Sequence, residues 1–165
     1  MTAALVREII TLLPTTPTSR VLVNLVTTAM REHESTFTCV ERTIVSSGNI
    51  GEAYTKIGKE IFADGVVHWG RIVMTLALAV HLQQKLGIDL EKETSRVFDE
   101  NAAIVQWLYV QGGWDDAASG IFYGCGDRLG FVNYMVDLVS LTLFLETIKL
   151  FNTNSLTNSS LNTVL

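Results

Sequence analysis

A chain of 165 residues amounts to one domain, long enough to bury a core without disulfide or metal staples. Apolar residues make up 48% of it and charged residues 18%, a balance that excludes a disordered chain. The net charge of −5 and pI near 5.1 argue against nucleic-acid binding, which needs a basic surface to displace counterions from phosphate.

Residues 2–13 carry Leu5, Val6, Ile9, Leu12 and Leu13 at helical spacing, and Pro14 stops that helix. A second helix is predicted over 19–37, with Leu22, Leu25, Val26, Ala29 and His33 on one stripe and Phe37 a turn later. Residues 38–48 are ambiguous, with a short helix ending near Gly48 as one reading. A further helix fits 50–63, and Asp64-Gly65 reads as a turn.

The stretch 69–86 is apolar on nearly every face, as a helix buried in a core or a membrane would be. Arg71, His81 and the Gln83-Gln84-Lys85 end favour the central helix of a globular bundle. Gly87 ends it, and one helix is predicted over 89–111. Gly112-Gly113 breaks the chain, a short helix starts at Trp114, and 120–130 reads as a loop.

Residues 129–151 form a second apolar stretch, interrupted by Asp137 and Glu146. A charge at mid-membrane costs ~2.5–3.5 kcal/mol. A packed terminal helix, or one lying on a membrane, is therefore expected ahead of a true span. The tail 152–165 is rich in Asn, Ser and Thr and reads as disordered. The chain divides into a helical domain, 1–151, and that tail. The fold class is all-α, with seven or eight helices around one buried helix.

Chemistry-bearing motifs are scarce. Cys39 and Cys125 belong to no C-x-x-C pair, which favours a reducing compartment. His33, His68 and His81 lack ligand spacing, so neither a metal nor a cofactor is expected. The glycines of 124–130 are wrongly spaced for a dinucleotide loop. No nucleophile–base constellation can be argued, so the chain reads as a non-enzyme. The first eight residues lack the pattern of a secretory signal.

Two segments carry a family likeness. Phe62-Ala63-Asp64-Gly65-Val66-Val67-His68-Trp69-Gly70-Arg71-Ile72-Val73 resembles the first Bcl-2 homology segment, whose core is Asn-Trp-Gly-Arg. Trp107-Leu108-Tyr109-Val110-Gln111-Gly112-Gly113-Trp114-Asp115 resembles the second, a Trp-Ile-x-x-x-Gly-Gly-Trp pattern, in matching order and spacing. Trp69, Trp107, Gly112, Gly113 and Trp114 are the structural residues of the two segments. The three tryptophans read first as core packing.

The resemblance implies a hydrophobic groove that takes the apolar residues of an amphipathic BH3 helix while an arginine pairs with its aspartate, a helix-in-groove mode for which BH3/Bcl-2 is a standard example. By position the groove comprises Val26, Phe37, Val40, Val67, His68, Gly70, Arg71, Met74 and Thr75. Independently, Arg71 offers a planar fork suited to a carboxylate. An ordinary intramolecular pair is its other reading.

Three departures matter. His68 replaces the usual Asn. The chain's own BH3-like stretch, Leu25-Val26-Thr27-Thr28-Ala29-Met30, has Met30 where the acidic residue of a death-motif donor belongs. The connection between the first two helices is only about five residues, which resembles compact virus-encoded members. The resemblance thus implies an inhibitor of apoptosis whose partners are BH3 helices of pro-apoptotic Bcl-2 proteins. Homodimerisation and membrane association through 129–151 are further expectations. The implied location is the cytoplasm, with attachment to the mitochondrial outer membrane. The alternatives are a Bax-like pore-forming effector and a helical scaffold of the same fold that has lost BH3 binding.

Overall fold

A computed structural model of the chain describes residues 2–123. The first helix, α1 (Thr2–Ile10), buries Leu5, Val6, Ile9 and Ile10. It ends earlier than the apolar spacing predicts, because Leu12 takes a left-handed conformation (φ 55°) ahead of Pro14. The Glu8 carboxylate then accepts from both the backbone N–H and the hydroxyl of Thr15, at 2.8 and 2.6 Å, and braces the short connection.

Helix α2 (Pro17–Glu32) starts on a capping box: Thr16 Oγ1 accepts from Ser19 N, and Ser19 Oγ accepts from Thr16 N, each at 3.1 Å. Pro17 occupies the first turn, where its missing N–H costs nothing. The predicted helix over 19–37 is in fact two. His33 leaves helical geometry (φ −120°, ψ 28°) and closes α2 through its N–H to Ala29 O. Phe37 belongs to α3 (Glu34–Ser46), which buries Phe37, Val40 and Ile44 and absorbs the ambiguous 38–48 stretch.

Asn49 caps α4 (Ile50–Ile61), its side chain accepting from Glu52 N at 3.1 Å. The predicted turn at Asp64-Gly65 is present, with Gly65 at φ 74°. Helix α5 (Trp69–Leu86) has the predicted bounds. Every residue from Trp69 to Leu82 is buried, and Gly87 closes it in the left-handed conformation.

The single helix predicted over 89–111 also divides, into α6 (Glu91–Asp99) and α7 (Ala102–Gln111). Asn101 is the reason: its side chain accepts from Ala103 N and Ile104 N and begins a new helix. Helix α8 (Trp114–Tyr123) runs into the stretch expected to be a loop from residue 120. The expectations for 129–151 and 152–165 lie outside the described residues.

The eight described helices leave no strand among those residues, and the fold class is all-α. Helix α5 is the centre: α1, α2, α3, α4 and α6 all pack on it. Among the described residues no helix is long and apolar enough to cross a membrane.

Candidate helix-binding site

The start of α5 is where the two motif segments meet. Trp69 sits edge-on to Trp107 with centroids 5.4 Å apart, and Trp114 lies 6.2 Å from Trp69. Phe98 links Trp114, at 5.7 Å, to Phe62, at 6.5 Å. Aromatic pairs at such distances and tilts add to the energy of area burial. Gly112 caps α7 at φ 84°, and a Cβ there would collide with the Asp116 carboxylate. Gly113 follows at φ 97° and donates to Leu108 O at 2.8 Å. The pair of glycines thus turns the chain so that Trp114 reaches the aromatic cluster, where its indole N–H donates to Thr2 Oγ1 at 3.3 Å.

Arg71 lies one turn into α5 and is only 4% exposed. Its guanidinium forks onto Asp64: Nη2 donates to Oδ2 at 2.8 Å and Nη1 to Oδ1. Nη1 also donates to the carbonyls of Ile61 and Val66, each at 2.9 Å. One cation therefore ties the end of α4, the turn after it and the start of α5 together. Asp64 is itself held by its turn, accepting from Val66 N at 3.0 Å. Hydrogen bonding from Arg71 holds the half-exposed Asp64 carboxyl at about 2, well below its ordinary value. Arg71 Nε is buried with no acceptor.

The remaining predicted site residues fall on three helices and one loop. Val26 on α2, Phe37 and Val40 on α3, and Met74 on α5 join a single core cluster, with Thr75 fully buried beside Met74. Gly70 is buried in the first turn of α5, while Val67 and His68 are half-buried. His68 is the N-cap of α5, in extended conformation, and makes no side-chain cap bond there. The structure thus gathers these residues, but encloses them: Val26, Phe37, Val40 and Thr75 have no exposed surface and Met74 only 1%.

One polar pairing is only half legible in the sequence. His81 on α5 is 4% exposed, its Nε2 lies 2.8 Å from Glu41 Oε2 on α3, and its ring stacks on Phe37 at 5.7 Å. A histidine inside an apolar helix signals that a polar partner exists, because burying an unpaired imidazole is costly. Nothing in the sequence says that the partner is Glu41, forty positions away.

A family model described as apoptosis regulator proteins, Bcl-2 family, matches residues 22–114, from α2 into the second motif segment. A comparison with curated proteins finds no match. The matched region covers more than half of the 165 residues and contains both tryptophan–glycine segments, and the chain belongs to the Bcl-2 family of apoptosis regulators.

Proposed function

We propose that this protein restrains cell death by capturing BH3 helices of pro-apoptotic Bcl-2 proteins along α2, α3 and the first half of α5. The observation that carries the reading is Arg71, a buried guanidinium already engaged by a carboxylate, on the same helix as the buried Met74 and Thr75 in a Bcl-2 chain. A helix carrying an aspartate would present the same chemistry that Asp64 presents. Met30, in place of an acidic residue, favours a receiver of such helices over a donor. Binding acts by sequestration and needs no catalysis or cofactor. The cytoplasm and the mitochondrial outer membrane are where it would meet its partners.

Because these side chains are covered, capture requires α3 to part from α5. The test is calorimetry with a panel of BH3 peptides and their Asp→Ala versions, on wild type and Arg71→Ala. The expected result is binding that falls tens-fold or more when either partner is truncated, since breaking a desolvated charge pair costs ~2–5 kcal/mol. Affinity unchanged by both truncations would sink the role of Arg71. Failure of every peptide to bind would favour a scaffold that has lost capture. Activator-dependent dye release from liposomes by the protein alone would instead support a pore-forming effector.

A further inference from the structure

Helix α3 is the most lightly held of the helices around the centre of the fold. Of its 13 residues only Phe37, Val40 and Ile44 are buried, a stripe at intervals of three and four. Both of its ends are joints. At the front, His33 is non-helical and gives α3 no side-chain cap. At the back, Gly48 turns at φ 81° in open space. A rod between two such joints can swing as a unit.

Its polar tie to α5 is the contact between Glu41 and His81, 2.8 Å from Oε2 to Nε2. The imidazole is also the surface on which Phe37, the largest buried side chain of α3, is stacked. One residue of α5 therefore meets α3 twice, once by hydrogen bond and once by ring. The Glu41 side chain is 21% exposed, so it can rehydrate when the contact breaks; His81, at 4%, cannot without α3 moving.

We propose that Glu41 and His81 form a latch that sets how often α3 lifts off α5, and so controls access to the apolar surface beneath it. Docked, α3 keeps Phe37 and Val40 inside and packs on α5, which is buried without a break from Trp69 to Leu82. Lifted, it exposes an apolar strip of α5 to an incoming amphipathic helix. Apparent affinity then scales with the open fraction, so weakening the latch tightens binding without adding a contact to the ligand. The ligand in this statement rests on the capture function proposed above; the latch itself does not.

The experiment is hydrogen exchange on the free full-length protein, wild type against Glu41→Ala, Glu41→Gln and Arg42→Ala. Arg42 is an exposed neighbour on α3 and serves as a control for helix charge. In Glu41→Ala, amides of 34–46 are expected to exchange about tenfold faster while those of 70–82 keep wild-type rates, as local opening requires. Glu41→Gln, which retains an acceptor, falls between, and Arg42→Ala matches wild type. BH3 peptides then bind Glu41→Ala several-fold more tightly, through faster association. Exchange of α3 and α5 that shifts together, or an α3 indifferent to Glu41→Ala, overturns the latch. If α3 alone loosens but no peptide binds any variant, the latch stands and the capture function falls.

Discussion

Two side chains decide how the first half of the molecule is joined. Asp64 and Arg71 bind through a fork that also satisfies two carbonyls. The Asp64 carboxyl lies below its unfolded value, so the pair stabilises fully above pH ~5 and its contribution disappears as pH falls from about 4 towards 2. Half-exposure of Asp64 limits that contribution to about 1 kcal/mol through solvent screening. Asp64→Asn should therefore melt below wild type at pH 7, with the gap narrowing as pH falls from about 4 towards 2; a constant gap across that range would show that the charge is idle. Tyr54 acts deeper in the core. Its hydroxyl donates to Thr75 O at 3.2 Å and accepts from Thr94 Oγ1 at 3.0 Å, and burial pushes its pKa up. Tyr54→Phe strands the buried Thr94 hydroxyl and should cost ~1–2 kcal/mol. A lower denaturant midpoint at unchanged slope would show it, and an unchanged midpoint would mean that Thr94 finds another partner.

Between helices, close approach replaces hydrogen bonding as the deciding term. Helices α4 and α6 pack through Gly58, where an added Cβ would lie 2.8 and 3.0 Å from the Cγ atoms of Val97. Val97 is 1% exposed and has nowhere to go. Gly58→Ala gains about 1 kcal/mol of helix propensity but overpacks the contact by ~1–3 kcal/mol. Overpacking should win, giving a lower melting temperature; a stabilised variant would show that α6 can shift outward at no cost. The two misjudged elements have a common cause at this scale. His33 and Asn101 each interrupt a run whose apolar spacing continues on both sides. Asn101 is a cap residue by type and could have been read as one. His33 could not: it makes no side-chain cap bond, and it leaves helical geometry where α2 and α3 each pack separately on α5.

Across the whole molecule, the described helices enclose α5 so completely that the surface proposed for a ligand is part of the core. Affinity for any helix on that surface is then the intrinsic affinity reduced by the fraction of molecules in which α3 is lifted. The few buried residues of α3, set against the unbroken burial of α5 from Trp69 to Leu82, place that opening at the edge of the fold and leave its centre intact. Loops and helices with little buried area are the low-stability regions from which such openings arise.

The sequence by itself determined the helical class, the bounds of α5, the turn at Asp64-Gly65, and the two segments that mark the family, now matched over 22–114. These features are local. Helical periodicity, glycine turns and caps are set within one or two turns of chain, and the residues that set them are adjacent in sequence. Only the tertiary structure decided which groups meet: Arg71 with Asp64 and two carbonyls, His81 with Glu41 and Phe37, Tyr54 with Thr94. Those pairings depend on the rotation and crossing of whole helices, which interlocking side chains fix collectively and no single segment encodes. The Arg71 fork could be foreseen as a carboxylate receptor from its chemistry alone. That its carboxylate in the free protein is Asp64, and that the apolar residues beside it are shut in, followed only from the packing.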